Sequence, residues 1–290
     1  MPEISLQNRQ PSLTTDGGVE ALVNGNKHEV LKFLAARPLS TFIQTSWIRD
    51  NGLVSPHNRG MFYGYRDAAG QLAGVALVGH ITLFETQNDL ALAAFANLAH
   101  TCPSAYAILG EKNQISRFMV HFLQGGPPPR LACRELLLQK QTAENLITLS
   151  SLRPANPEEL ELVVPVHAQT AFKESGINPL DVDAVGFTER CAHRIKQGRV
   201  WVSIENGRLK FKADVVSDTP DVVYLEGVYV SAEHRANGYG ARCLTQLTNY
   251  LLERTKSVCL LVNETNSAAQ KSYQKAGYQF REHYETLFLQ

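Results

Sequence analysis

Arg235-Ala236-Asn237-Gly238-Tyr239-Gly240 stands between an apolar run, Val222 to Val230, and a stretch of helical spacing that begins around Ala241. A strand that ends in a glycine-rich turn and opens a helix leaves several backbone N–H groups unpaired and pointing one way, where a diphosphate can sit. Gly238 and Gly240 permit positive φ and let a ligand come close to the main chain. Two other nucleotide motifs use glycines in this way. A P-loop needs Gly-x-x-x-x-Gly-Lys followed by Ser or Thr, and the chain has none. A Rossmann fingerprint needs a third glycine and an acidic residue roughly 20 positions later. Here only two of those glycines are present, and Asn263 closes the next strand. What remains is Arg-x-x-Gly-x-Gly after a strand.

The flanking elements form an ordered series. Arg199 to Glu205, Asn206-Gly207 and Arg208 to Val216 read as a β-hairpin, because Asn-Gly between two strand-like runs favours a type I′ turn. Val222 to Val230 is the following strand. From Ala241 the residues Leu244, Leu247 and Leu251 recur at helical spacing, with Arg254 and Lys256 near the helix end. Val258 to Val262 is a short buried strand, and the segment after it carries Asn266, Ala269, Tyr273 and Gly277-Tyr278. Taken together, the glycine turn and the run Asn-x-x-Ala-x-x-x-Tyr-x-x-x-Gly-aromatic resemble the GNAT superfamily of N-acetyltransferases.

That resemblance implies an α/β (α+β) fold with a central mixed, mostly antiparallel β-sheet flanked by helices. It implies acetyl-CoA as co-substrate, with its diphosphate on the N–H groups of Arg235, Ala236, Asn237, Gly238, Tyr239, Gly240 and Ala241. The helix dipole favours the negative charge there, and Arg235 adds a charge-assisted contact. The pantetheine arm would lie along Val228, Tyr229 and Val230, where the fourth and fifth strands splay, and an N–H near Tyr229 or Val230 would stabilise the oxyanion. Asn263 and Asn266 are candidates for the pantetheine amides, although Asn266 is equally a helix N-cap. Tyr273 occupies the family's tyrosine position. It is either the general acid for the departing thiolate or a core tyrosine bonded to a carbonyl.

Glu226 interrupts Val222 to Val230, and a carboxylate in a central strand costs several kcal/mol unless it is paired, hydrated or protonated. It resembles the acidic residue that many GNAT enzymes use as base; the alternative is a partner for a buried arginine or lysine. Gly227 beside it marks either a bulge or tight packing against a bulky neighbour.

The 290 residues are 44% hydrophobic, with 28 Lys plus Arg against 28 Asp plus Glu, so the charge balance gives no reason to expect a nucleic-acid or anionic-membrane partner. Cys102, Cys133, Cys191, Cys243 and Cys259 include no Cys-x-x-Cys pair and are odd in number, which reads as reduced thiols in a cytoplasmic protein. Met1 to Gly18 is polar and reads as disordered rather than as a secretory signal. The most apolar windows, Leu72 to Phe84 and Leu90 to Ala99, fall short of the roughly 18 consecutive apolar residues of a membrane span. The histidines show no metal-ligand spacing, and no metal is expected.

The first half echoes the second. Met61 to Arg66, the turn Asp67-Ala68-Ala69-Gly70 and Gln71 to Val78 form a hairpin. Ile81 to Glu85, Asn88 to His100, Tyr106 to Leu109, Lys112 to Phe122 and Leu131 to Gln139 then alternate strand and helix. Thr86-Gln87-Asn88 replaces the stretch from Ser231 to Gly240, so this copy lacks the glycine turn. The expected organisation is two GNAT-like domains: residues 1–140 without a cofactor site, and a catalytic 141–290. Leu149 to Ala155 leads into the second of these. In it Asn156 and Pro157 open a helix that Pro165 should kink, and a second helix spans about Asp183 to Gln197. The loop Phe172 to Pro179 between them lies where GNAT enzymes contact substrate. The expected activity is transfer of an acetyl group to a primary amine of a small molecule or peptide, by a monomer or homodimer. The alternative is a non-catalytic acyl-CoA-binding or regulatory protein.

Overall fold

A computed structural model of the protein describes residues 18–123, 127–144 and 151–289. The polar segment before Gly18, the pair Gly125-Gly126 and Leu149-Ser150 lie outside those residues. The first half runs β1 (Gly18–Ala21), α1 (Lys27–Leu34), α2 (Pro38–Asn51), β2 (Gly60–Arg66), β3 (Leu72–Gly79), β4 (Ile81–Thr86), α3 (Asp89–His100), β5 (Ala107–Glu111), α4 (Lys112–Phe122) and β6 (Leu131–Lys140). The second repeats this order: β7 (Leu152–Pro154), α5 (Leu160–Ser175), α6 (Pro179–Lys196), β8 (Val200–Glu205), β9 (Arg208–Asp218), β10 (Val223–Val230), α7 (Tyr239–Leu252), β11 (Val258–Asn263), α8 (Ser267–Lys275) and β12 (Gln279–Phe288).

Local sequence accounts for the elements. Asn206 and Gly207 both adopt positive φ, 51° and 71°, as a type I′ turn between β8 and β9 requires. α5 continues through Pro165, where a kink was expected. That proline is exposed near the start of the helix, so the carbonyl it leaves unbonded faces water. The broken helix is α6, which starts at Pro179 and has a non-helical residue at Asp183; the Asp183 carboxylate recaps the helix by accepting from the Gly186 N–H at 2.9 Å.

The two expected sheets are joined into one of 12 strands, ordered β1-β2-β3-β4-β5-β12-β6-β11-β10-β9-β8-β7. The pairs β4–β5 and β10–β11 are parallel and the others antiparallel. At the centre each half lends a strand to the other. β6 of the first half pairs with β11, β12 of the second half pairs with β5, and β6 and β12 pair with each other. The order is therefore palindromic about the β12–β6 seam.

Alternation along the strands loads both faces with apolar side chains. One face of the second half sets Val223, Leu225, Leu260 and Val262 against Leu244, Leu247 and Leu251 of α7. The other buries Tyr224, Cys259, Leu137 and Tyr284 under Phe42, Ile43 and Ile48 of α2, which comes from the first half. Polar contacts fix that docking: Ser217 Oγ donates to the Phe42 carbonyl at 2.6 Å, and Arg199 pairs with Asp50 at 2.7 Å.

Candidate active site

β10 and β11 are parallel partners at only three positions, Val223 with Val258, Tyr224 with Cys259 and Leu225 with Leu260. Beyond Leu225 they part, although each continues, to Val230 and Asn263. The cause lies on the other edge of β10. There Glu226 faces Asp214 and Tyr229 faces Lys212, so one extra residue is accommodated on β10 and the register shifts. Gly227 takes up this bulge at φ +60°, and a Cβ there would lie 3.1 Å from both Asp214 Oδ2 and Lys212 Nζ. Both readings of this glycine thus hold, since it bulges and it is tightly packed. Past the bulge, Ser231 N–H bonds back to Lys210 on β9. Alternation therefore turns the main-chain groups of Val228 and Val230 to the open edge and those of Tyr229 to β9.

α7 begins where that opening ends. Its N-cap is Gly238 at φ +77°, two residues after Ala236 at φ +62°. These left-handed residues curl the turn so that its amides line a concavity. Of the first-turn amides, Tyr239 N–H is taken by Asn237 Oδ1 at 3.0 Å and Arg242 N–H by the Gly238 carbonyl at 3.1 Å. Gly240 and Ala241 N–H have no partner inside the helix and remain for an anion. Gly240 packs so closely on β10 that a Cβ would sit 2.7 Å from Val230 Cγ2. Arg235 turns its Nε to the Val230 carbonyl at 2.9 Å, and its ring-side neighbour His234 bonds Ser231 at 2.8 Å. Tyr239 itself enters the core, its hydroxyl 2.7 Å from Ser203 Oγ.

The corresponding opening in the first half is closed. β4 and β5 pair at Ile81–Ala107 and Thr82–Ile108 and then part, but Arg37 bridges the gap over a small cavity that it lines with Glu85, Leu109 and Glu111. It bonds Glu85 at 2.9 Å and Glu111 at 2.7 Å, and Ser40 bonds Glu111 as well. The N-terminus of α3 is occupied by its own cap, Asn88 Oδ1 accepting from Leu90 N–H at 2.8 Å and Ala91 N–H at 3.1 Å.

Several side chains meet at the open end of β10. Glu226 is exposed at the bulge, on the face shared with Tyr224. From the opposite face Tyr273 of α8 is 9% exposed, and no hydrogen bond to its hydroxyl is made by the described residues. Burial, and then the charge of Glu174, hold its phenol above the usual tyrosine value, so it stays protonated at neutral pH. Asn266 caps α8, accepting from Ala269 N–H at 3.1 Å, and Asn263 Oδ1 accepts from Thr265 N–H at 2.9 Å. Both carboxamide oxygens are thus engaged locally.

Sequence reasoning missed two acids and a buried cluster. The charge of Glu226 acts on both Glu135 of β6 and Glu174 at the end of α5, and that of Glu135 acts on Glu174. Burial, and the field of Glu226, push Glu135 up to about 7 despite the 2.6 Å hydrogen bond from Thr286. Glu174 is raised too, first by the protein around it and then by Glu226 and Glu135. Beneath the bulge lies fully buried Lys212, 2.6 Å from Asp214, which also lies 3.1 Å from His167 and 3.7 Å from Arg194. Burial alone would raise Asp214, but Lys212, His167 and Arg194 outweigh it and hold the carboxyl well below its usual range. The available signal was the charged pair Lys212 and Asp214 at alternate positions of an apolar strand. Among the described residues no group of His, Cys, Asp and Glu is arranged to hold a metal ion, and no helix is long and apolar enough to cross a membrane.

Residues 213–287, from mid-β9 to the end of β12, match the family model described as FR47-like protein. No curated protein matches the chain. Among solved structures, a Drosophila protein superposes at TM-score 0.65 with 14% identity, covering 94% of this chain and 98% of that one. A GCN5-related N-acetyltransferase from Sphaerobacter thermophilus does so at 0.58 and 13%, covering 96% and 98%. A tandem GNAT protein from the clavulanic acid biosynthesis pathway gives 0.57 and 12%, covering 95% and 99%. Identities this low speak for the fold alone. The chain thus shares the fold of these acetyltransferase structures, and its residues 213–287 are similar to the FR47-like family.

Proposed function

We propose that this protein is an acetyl-CoA-dependent N-acetyltransferase with one active site, in the second half, that moves an acetyl group to a primary amine by direct attack. The observation that carries this reading is the conjunction of the β10–β11 opening with an α7 N-terminus whose N-cap, Gly238, has no side chain to take the Gly240 and Ala241 amides. The full-length likeness to a tandem GNAT protein supports a division into two GNAT-like halves, about 1–140 and 141–290, that exchange a central strand.

Acetyl-CoA supplies an activated acyl group and a thiolate leaving group. The protein residues supply the rest. Gly240 and Ala241 N–H, with the α7 dipole, hold the diphosphate, and the η nitrogens of Arg235 stay available because only its Nε is anchored. Main-chain groups of Val228 and Val230 receive the pantetheine arm as an added strand. The Val230 N–H is the donor placed to offset negative charge on the thioester oxygen. Tyr273, protonated at neutral pH, donates to the thiolate. An amine with pKa near 10.4 is neutral in roughly one of a few thousand molecules at pH 7, so its proton must be accepted, and the carboxylates on the Glu226 face are there to do it.

A thermal-shift and thiol-release pair of assays tests this. Gly238→Glu should abolish stabilisation by acetyl-CoA, because a carboxylate then occupies the anion site. Tyr273→Phe should keep the stabilisation and lower kcat by about 100-fold, at the low end for a lost general acid. Unchanged turnover in the phenylalanine variant would remove that role. Acetyl-CoA stabilisation with no thiol release across amines would instead favour a binding or regulatory protein.

A further inference from the structure

We infer that the acceptor is an aliphatic amine carrying at least two ammonium groups, received by Glu226 of β10, Glu174 of α5 and Glu135 of β6, the strand lent by the first half. This deepens the acetyltransferase reading and rests on it.

The three carboxylates come from three elements onto one face. β6 flanks β11 with Glu135 opposite Asn263, at the level where β10 has parted from β11. Glu135 shares the face of Leu137, and Glu226 that of Tyr224, both of which belong to the same core cluster. α5 is docked over this place by Cys133 Sγ to the Glu174 carbonyl at 3.5 Å and by Arg130 to the Ser175 carbonyl at 2.6 Å. A second observation marks the spot as a ligand site. The buried Tyr273 lies within the field of Glu174, and its hydroxyl is without a hydrogen-bond partner among the described residues.

Charge decides the class of ligand. Among the described residues none of Glu135, Glu174 and Glu226 is ion-paired, whereas Glu85 and Glu111 in the first half's opening share Arg37. Of the nearby cations, Lys212 acts on Glu174 but is paired with Asp214 at 2.6 Å, and Arg130 is engaged by the Ser175 carbonyl. The three acids thus have no ion-pair partner of their own among the described residues, and a ligand with more than one ammonium group supplies it. Glu135 and Glu174 both sit above the usual carboxyl range, and a bound dication would pull them down and release protons.

The test uses the full chain saturated with CoA, titrated calorimetrically with 1,4-diaminobutane, butylamine and 4-aminobutanoate. The diamine should bind at least about tenfold more tightly than butylamine, the zwitterion more weakly than either, and the advantage should shrink as salt rises. Repeating the titration in buffers of different ionisation enthalpy should show proton release with the diamine. Glu135→Gln should narrow the diamine-to-butylamine ratio toward one while keeping its thermal shift with acetyl-CoA, which reports an intact fold. A diamine that binds no better than butylamine or not at all, or a ratio untouched by Glu135→Gln, would overturn this inference alone. Failure of the parent protein to bind CoA or acetyl-CoA would overturn the acetyltransferase reading beneath it.

Discussion

Gly227 stands at φ +60° with a carboxylate and an ammonium packed against its missing side chain, so one residue both opens the cleft and seals a buried charge pair. Gly227→Val should cost about 1–3 kcal/mol from the left-handed backbone alone, read as a lower midpoint in urea; an unchanged midpoint would mean that the bulge is not strained. Glu135 gives a pH signature. Its folded pKa lies above the unfolded value, so the folded state binds more protons between about pH 4.3 and about 7, and stability falls as pH rises through that window. In Glu135→Gln that loss should be missing, so the variant should gain on the parent protein as pH climbs from 4 to 7. Asp214 and His167 act with the opposite sign, both folded values being lowered, and their contributions fade as pH falls. They are common to parent and variant and cancel in the difference. At this scale the sequence was partly legible. Glu226, Tyr273 and the glycine turn announce themselves by position, whereas Glu135, Glu174 and Lys212 look like ordinary charges until the fold gathers them.

Helices α3 and α7 occupy equivalent places in the two halves and differ at their first turn. Asn88 satisfies two orphan amides of α3 with one side-chain oxygen; Gly238, without a side chain, satisfies none in α7. Asn88→Ala should therefore cost about 1 kcal/mol of stability, as a lost N-cap does, without creating a second acetyl-CoA site, because Arg37 still bridges the β4–β5 opening. A second binding event in that variant would show the cap, not the arginine, to be what closes the first half. The elements themselves were readable because hairpin turns, caps and apolar periods are local. Pro165 does not end α5, since its lost bond falls on the solvent side, and the α6 break arises from the Asp183 carboxylate bonding Gly186.

Across the whole molecule the exchanged strands β6 and β12 bind two repeats into one sheet. The repeat was visible in the order of elements, but the exchange was not, since the pairings of Leu137 with Leu261 and of Thr286 with Leu109 join segments far apart in the chain. One consequence is that the second half's site depends on the first, through α2 packed beneath it and Glu135 beside it. Another is asymmetry: two similar frameworks, one with an unbridged strand opening and Gly238 as helix N-cap, the other with its opening bridged by Arg37 and its helix capped by Asn88. Calorimetric titration of the full chain with acetyl-CoA tests this most directly. One site per chain is predicted, with no heat of binding in Gly238→Glu; two sites, or no binding to the parent protein, would contradict it.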